Sequence, residues 1–178
     1  CFLSNNSFAT PEQVTAKLAR LGVPRPEGRV ITAGWATMRA VAQRFPGGRV
    51  FVLAVDAMEE LAERAGLRPV AADEPEVPPP AAVVVGLDRG LNYARLRRAL
   101  RAILAGAAFY AVNRDPRLPV EDGFEPGTGA LVAALEWSSG QQAEMVGKPA
   151  PGIIAQAMRQ MGVEPAAVLL VGDGLDLD

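Results

Sequence analysis

Short apolar runs alternate with amphipathic segments along most of the chain. Apolar runs bounded by glycine, proline or polar residues are typical of buried strands, and apolar residues recurring every three or four positions indicate helices. Strands are predicted at 2–3, 30–32, 50–55, 82–85, 108–112 and 168–171, with a further strand edge at 145–149. Helices are predicted at 10–21, 35–45, 58–65, 93–105, 130–137 and 153–161.

This alternation of strands and helices predicts an α/β fold with a largely parallel sheet, because parallel strands need a crossover connection. The proline-rich stretch 73–80 and the stretch 119–129 are predicted to be loops. The helix at 93–105 carries four arginines on its polar side, which indicates a solvent-facing surface rather than a phosphate site. These are Arg95, Arg97, Arg98 and Arg101.

Composition limits the possible partners. The chain has 178 residues, 49% of them apolar, which is enough for a sizeable core in one or two domains. A net charge of -2 gives no basic footprint for nucleic acid, and no apolar run approaches the roughly 20 residues that span a bilayer. We therefore expect neither a nucleic acid nor a membrane partner. The single cysteine, Cys1, excludes an internal disulfide and fits a cytoplasmic location.

The chain contains no histidine. This excludes a Ser-His-Asp or Cys-His relay within it, as well as a zinc site with imidazole ligands. The remaining candidates for chemistry are carboxylates, hydroxyls, backbone amides, arginine, a hard metal ion and the two lysines, Lys17 and Lys148.

Two candidate loops would place polar groups at strand ends. Ser4-Asn5-Asn6 follows the first strand, and a hydroxyl with free amides can cradle a phosphate; the alternative is an ordinary polar turn. Gly147-Lys148-Pro149 combines close backbone approach with a positive charge beside an anion; the alternative is a surface lysine in a loop.

A third candidate loop lies at the end of the chain, where Gly172 is followed by Asp173, Asp176 and Asp178. In an open α/β sheet, ligands bind beyond the carboxyl ends of the strands. Carboxylates placed there form a hard oxygen site that suits Mg²⁺. The alternative is an acidic turn that caps a helix.

Together and in this order, the three loops resemble motifs of the haloacid dehalogenase (HAD) superfamily, in the group of phosphatases related to NagD, p-nitrophenylphosphatase and phosphoglycolate phosphatase. Phe2-Leu3-Ser4-Asn5-Asn6-Ser7 resembles the second motif, Val146-Gly147-Lys148-Pro149 the third, and 171–178 the fourth. The segment 106–116 resembles the Gly-Ala-x-Phe-x-x-x-Asn-x-Asp segment of the family, and 31–37 fits the segment before its cap domain.

The resemblance implies a Rossmann-like core, residues 1–46 and 143–178, interrupted by an αβ cap, residues 47–142, that closes over the site. Ser4 and the amides of Asn5 and Asn6 would hold the phosphoryl group, and Lys148 would neutralise it. Asn113 and Asp115 would face the site from the cap boundary. Mg²⁺ would be held by Asp173, with Asp178 and Asp176 in support. A homodimer formed through the cap is a further expectation.

This chain departs from the family pattern at the nucleophile, for which it has no matching residue. The resemblance places it on the first aspartate of an Asp-x-Asp motif before the second motif, and this chain starts after that point. The leading hypothesis is a Mg²⁺-dependent phosphatase that acts through an aspartyl-phosphate, with this nucleophile outside the chain. A sugar phosphate, a nucleotide monophosphate, phosphoglycolate and p-nitrophenyl phosphate are the candidate substrates. The chain alone is then expected not to turn over.

The competing hypothesis is a non-catalytic phosphate- or metabolite-binding domain that keeps the same fold. A weaker alternative is a nucleotide-binding protein of another doubly wound family. The absence of a Gly-x-Gly-x-x-Gly sequence after any strand counts against a dinucleotide site.

Overall fold

The computed structural model of the chain describes residues 1–71, 74 and 78–172. The predicted metal ligands Asp173, Asp176 and Asp178 lie outside the described residues. In chain order, the elements are β1 (Phe2–Ser4), α1 (Pro11–Arg20), β2 (Val30–Thr32), α2 (Ala33–Arg44), β3 (Arg49–Leu53), α3 (Asp56–Arg64), β4 (Arg68–Pro69), β5 (Ala82–Val85), α4 (Tyr93–Leu104), β6 (Ala108–Ala111), β7 (Arg117–Val120), β8 (Gly123–Pro126), α5 (Thr128–Ser139), β9 (Glu144–Met145) and α6 (Pro151–Met161), followed by a 3₁₀ turn at Pro165–Ala167.

A small parallel sheet carries the first candidate loop. Strands β1 and β2 pair in parallel, with Ser4 opposite Thr32 at the carboxyl end. Helix α1 connects them and begins at a capping box: the Thr10 hydroxyl accepts from the amide of Gln13, whose side chain accepts from the amide of Thr10. This reciprocal pair satisfies amide groups that a helix start leaves unpaired. The predicted start of this helix is confirmed.

A larger parallel sheet forms the centre of the molecule, with five strands in the order β4-β3-β5-β6-β9. Alternate residues of β3 point to opposite faces: Val50 and Val52 pack with α2 and α3, whereas Phe51 and Leu53 pack with α4 and α5. Both faces are therefore covered by helices, which explains why the strands appear in the sequence as continuous apolar runs. The predicted α/β fold with a largely parallel sheet is confirmed.

Strand β9 hydrogen-bonds to β6, with Tyr110 opposite Glu144 and Ala111 opposite Met145. The sequence-based boundary between residues 142 and 143 therefore falls just before the last strand of the five-stranded sheet. Helix α2, on the other side of the predicted first boundary, packs against α3 and α6. One continuous apolar cluster includes Ile31, Val52 and Ile153. The small sheet and the large one thus share a core.

The loop predicted at 119–129 is wrong in part, because β7 and β8 form an antiparallel hairpin there. Neither strand has a buried face: the residues of β7 alternate between exposed and half-buried positions, and β8 is mostly exposed. Without a buried face, the hairpin lacks the apolar alternation by which strands are usually detected.

The strand predicted at 168–171 is also wrong. The run has no strand partner among the described residues, and Leu169 and Val171 are 86% and 84% exposed. A β-strand is stabilised by its ladder of hydrogen bonds and by the burial of its side chains. Within the described part of the chain, this apolar run has neither.

The solvent-facing arginine surface predicted for α4 is wrong at two of its four positions. Arg98 is only 8% exposed; its guanidinium lies over the Phe51 ring at 5.2 Å and donates to the carbonyl of Glu74. Arg95 pairs with Asp88 at 2.9 Å. The long arginine stem can be buried while its donors find carbonyl and carboxylate partners, which a pattern of polar positions does not show.

No helix in the described part of the chain is long and apolar enough to cross a bilayer.

Candidate functional site

The loop after β1 meets two segments that are distant in sequence. The side-chain amide of Asn5 donates to the carbonyl oxygen of Lys148 at 3.0 Å, and the side-chain amide of Asn113 donates to the carbonyl oxygen of Asn5 at 2.7 Å. Sequence reasoning predicted that these three segments share one site, and the structure brings them together. Asn113 is 3% exposed, so its side chain fixes the junction from inside the protein.

The shape of the first loop is set by its own side chains. The hydroxyl of Ser4 accepts from the amide of Asn6 at 3.3 Å. The side-chain oxygen of Asn6 in turn accepts from the amides of Phe8 and Ala9 at 2.9 and 2.7 Å. Such local bonds hold the chain in a turn. The Asn6 amide is thus already directed at Ser4, and the Asn6 side chain shapes the loop.

Gly147 allows the second loop to approach the first. A Cβ atom at this position would clash with the carbonyl oxygen of Val112 and would lie 3.0 Å from Oδ1 of Asn5. The amide of Gly147 donates to the Val112 carbonyl oxygen at 3.2 Å. The glycine is therefore required because the backbone of this loop closely approaches Val112 and Asn5, whereas the sequence indicated close approach to a ligand.

Two oxygens at this junction are buried without a hydrogen-bond partner among the described residues: Oδ1 of Asn5 and Oδ1 of Asp115. Burial raises the pKa of the Asp115 carboxyl, whereas the positive charge of Lys148 and the Asn5 side chain act in the opposite direction. An unpaired buried acceptor costs about 1–3 kcal/mol. Unpaired acceptors at one site are typical of a place where a ligand or an ion completes the bonding.

A cavity of about 240 Å³ opens beside this junction. Its wall includes Ser4, Asn5, Asn6, Asn113 and Asp115, all of them predicted site residues. Lys148 lines a second cavity, of about 540 Å³, together with Leu3 and residues of α6. The carbonyl of Lys148 is bonded to Asn5, and against the larger effect of burial its positive charge acts to lower the pKa of the Asp115 carboxyl.

Sequence reasoning missed part of the cavity wall. Ser7 and Thr128 are both almost fully buried, and their hydroxyls are 3.1 Å apart across 121 residues of sequence. Arg117 and Leu118 reach the cavity from the hairpin. The sequence offers one signal for Thr128: it follows Gly127, whose missing side chain lets the backbone approach Asp115. Nothing local identifies Arg117.

In the described ranges, no three acidic, cysteine or histidine side chains cluster closely enough to hold a metal ion. The oxygens that the site does offer, from Asn5 and Asp115, are hard donors of the type that Mg²⁺ prefers.

Comparison with known proteins places this arrangement in context. Residues 1–68 match a family model described as haloacid dehalogenase-like hydrolase, and residues 145–178 match one described as HAD-hydrolase-like. A 5'-nucleotidase from Bacillus subtilis is 35% identical over 177 residues, which cover 99% of this chain and 67% of the relative.

Solved structures agree with the sequence match. A p-nitrophenyl phosphatase from Archaeoglobus fulgidus superimposes with a TM-score of 0.91 at 35% identity, covering 99% of this chain and 66% of that one. A glycerol phosphate phosphatase from Mycobacterium tuberculosis, in complex with magnesium, gives 0.90 at 36% identity, covering 99% and 53%. The chain thus spans between about half and two thirds of the length of these proteins. Motif order, fold and relatives agree: the chain belongs to the haloacid dehalogenase-like hydrolase family.

Proposed function

We propose that the protein is a Mg²⁺-dependent phosphatase acting on small phosphomonoesters. The observation that carries this proposal is the junction at Asn5, which joins the loop after β1, the Lys148 loop and the Asn113 segment beside one cavity. Phosphoryl transfer depends mainly on positioning and charge neutralisation. A hydroxyl, backbone amides and a lysine can supply both without histidine. The names of the relatives support the same reaction class.

In this proposal, the hydroxyl of Ser4 and the amides of Asn5 and Asn6 hold the phosphoryl oxygens, and Lys148 neutralises their charge. The Asn6 amide exchanges its 3.3 Å bond to Ser4 for a bond to the phosphoryl group. Asn113 keeps the loop in place through its bond to the Asn5 carbonyl. Asp115 borders the same cavity with a carboxyl whose pKa is raised by burial. Asp115 and Ser4 line the same cavity, and the positive charge of Lys148 acts on the Asp115 carboxyl there in the direction that lowers its pKa.

The proposed metal ligand is Asp173, with Asp178 and Asp176 in support; all three lie outside the described residues. Bound Mg²⁺ would neutralise charge on the phosphoryl oxygens. The nucleophile is the carboxylate that the family resemblance places before Ser4. Its oxygen would attack phosphorus, and the bond from phosphorus to the ester oxygen would break as the second aspartate of the same motif gives that oxygen its proton. The same aspartate would then take a proton from water, which hydrolyses the aspartyl-phosphate, releases inorganic phosphate and regenerates the carboxylate.

The domain division is part of the proposal. Residues 1–46 and 143–178 would form the core and 47–142 the cap, which sets substrate choice. Four strands of the five-stranded sheet, β3 to β6, lie within 47–142 and support a second unit, whereas the fifth strand, β9, lies just beyond this boundary. A homodimer formed through the cap is tested by light scattering of the purified protein, where a monomer mass would contradict it.

The two lysines offer a matched test of the reaction. Because the expected nucleophile lies outside residues 1–178, the assay uses the protein extended by the segment expected to carry the Asp-x-Asp motif. Phosphate release from p-nitrophenyl phosphate and glycerol 3-phosphate is measured with Mg²⁺ and with EDTA for this protein and for its Lys148→Ala and Lys17→Ala variants. Removing a charge that stabilises the transition state lowers kcat/KM by about 100-fold or more. We expect this loss for Lys148→Ala and for EDTA. Lys17 is exposed on α1, and its variant should match the unmodified protein. Equal activity of both variants would refute the role of Lys148.

A further inference from the structure

The β7–β8 hairpin places two of its residues on the wall of the cavity that Ser4 and Asn113 also line. These are Arg117 and Leu118, both on β7. The cavity is thus bordered on one side by the loop after β1 and on another by the hairpin. A substrate whose phosphate lies at Ser4 would extend its remaining atoms toward β7.

The base of the hairpin is fixed by close backbone contacts. A Cβ atom on Gly127 would clash with the carbonyl oxygen of Asp115, and one on Gly129 would clash with that of Arg114. The amide of Gly127 donates to the Pro116 carbonyl at 3.1 Å, and the amide of Gly129 donates to the Asp115 carbonyl at 2.9 Å. These contacts couple the position of β7 directly to the site residue Asp115.

A second contact, between two exposed side chains, reaches the far strand of the hairpin. The guanidinium of Arg89 pairs with the carboxylate of Glu125 at 2.9 Å, which ties β8 to the loop after β5. A group that is held in place before the ligand arrives loses less freedom on binding. The wall formed by β7 is therefore suited to reading the shape and charge of a substrate.

Arg117 is the only cation among the described residues that line this cavity. Its guanidinium lies over the Phe124 ring at 4.8 Å, which orients it through a cation–π contact. No carboxylate lies within 4.0 Å of its guanidinium in the described part of the chain. Stacking uses the face of the guanidinium and leaves the N–H donors at its edge available. Those donors match the two oxygens of a carboxylate.

We propose that Arg117 is a specificity-determining residue that binds a second anionic group of the substrate, a carboxylate carried close to the phosphate ester. This inference rests on the proposed phosphatase function and narrows its substrate class to small phosphorylated hydroxy acids, over esters of neutral alcohols. The cavity volume of about 240 Å³ agrees, since it lies below the ~300–1,000 Å³ typical of sites for larger ligands.

The test uses two phosphonates of nearly equal size that cannot be hydrolysed. 3-Phosphonopropionate carries a carboxylate two carbons from its phosphonate, and propylphosphonate ends in a methyl group. Binding of each is measured by calorimetry with Mg²⁺ present, for the protein, Arg117→Ala, Arg117→Lys and Arg97→Ala. Arg97 is exposed on α4 and does not line the cavity, so its variant controls for the change in net charge. Circular dichroism confirms that each variant is folded.

We expect the protein to bind 3-phosphonopropionate about tenfold or more tightly than propylphosphonate, since a charge-assisted bidentate pair is roughly twice as strong as a neutral hydrogen bond. Arg117→Ala should remove this preference and leave propylphosphonate binding within about twofold, and Arg117→Lys should restore part of it. Equal binding of the two phosphonates, or equal weakening of both by Arg117→Ala, would overturn the inference while leaving the proposed function intact. Failure to bind either phosphonate would overturn both.

Discussion

The side-chain amide of Asn113 donates to the backbone carbonyl of Asn5 at 2.7 Å, although 108 residues separate the two in sequence. Asn113 also orders its own segment, because its side-chain oxygen accepts from the amide of Asp115 at 3.1 Å. One buried side chain thus joins the end of β1 to the end of β6 and fixes the position of the Asp115 backbone amide. The Asn113 side chain holds these segments together through both its N–H donor and its oxygen acceptor.

Replacement of Asn113 by alanine should therefore affect stability and activity together. Asn113→Ala leaves the Asn5 carbonyl and the Asp115 amide without their partner, at a cost of about 1–3 kcal/mol for each buried group. We expect a lower free energy of unfolding in urea. In the protein extended by the segment expected to carry the nucleophile, we expect a large fall in kcat/KM for p-nitrophenyl phosphate.

Asn92→Ala is the matched control for that variant. The Asn92 side chain caps α4 by accepting from the amide of Arg95, so its loss should cost about 1 kcal/mol of stability. Because Asn92 lies outside the site, kcat/KM should stay unchanged. If Asn113→Ala lost stability but kept full activity, its place in the site would be refuted.

Gly147→Ala tests the contact between the two loops. The added methyl group would meet the Val112 carbonyl and the Cβ of Ala33, and the backbone would have to move. Overpacking of this kind costs about 1–3 kcal/mol. Gly90→Ala is the control, since its Cβ would meet only Asp88 Oδ1 at 3.4 Å. Urea unfolding should separate the two variants by at least about 1 kcal/mol; equal midpoints would show that the loops can part freely.

Asp115 should make stability depend on pH in a defined direction. Burial raises its pKa in the folded protein above the ordinary 3.8, so the folded state holds this proton more tightly than the unfolded state does. The ionised carboxylate therefore reduces stability above the folded pKa, and the loss disappears as the pH falls to 3.8 and below. Asp115→Asn removes the charge at all pH values.

We expect Asp115→Asn to be more stable than the unmodified protein in urea at pH 7, with the difference shrinking as the pH approaches 3.8. Asp122→Asn, in the exposed turn of the hairpin, makes the same substitution away from the site and should show no such trend. A difference for Asp115→Asn that is independent of pH would contradict the assigned cause.

Glu12 should make stability depend on pH in the direction opposite to that of Asp115. Both its oxygens accept from the guanidinium of Arg64, at 2.7 and 2.8 Å, and this pairing lowers the pKa of the Glu12 carboxyl from 4.5 to about 2. The pair joins α1 to α3. The contribution of this pair to the free energy of unfolding is present above pH 4.5 and is lost as the pH falls through about 2. Because both side chains are more than a third exposed, the contribution is at most about 1 kcal/mol.

Glu12→Gln should consequently lose less stability than the unmodified protein between pH 4.5 and 2, measured in urea at low salt. Glu60→Gln is the control: Glu60 lies 3.9 Å from the same guanidinium, a weaker contact on the same helix. Identical acid profiles for Glu12→Gln and the unmodified protein would show that the pair contributes nothing.

The sequence by itself determined the elements whose causes are local. The capping box of Thr10 and Gln13 acts within one helical turn, and the apolar run at 82–85 became a strand because it is buried on both faces. The order of the Ser4 and Lys148 loops was also readable, since each follows a strand. These features depend on residues that are near one another in the chain.

Tertiary structure decided the rest. Only packing shows that Arg98 lies over Phe51, that β7 and β8 pair without a buried face, and that the run at 168–171 stays unpaired in the described part of the chain. The bond from Asn113 to Asn5 and the position of Arg117 at the cavity likewise have no local signature. The physical reason is common to all of them: their partners lie elsewhere in the sequence, and they meet only when the sheet and its helices pack.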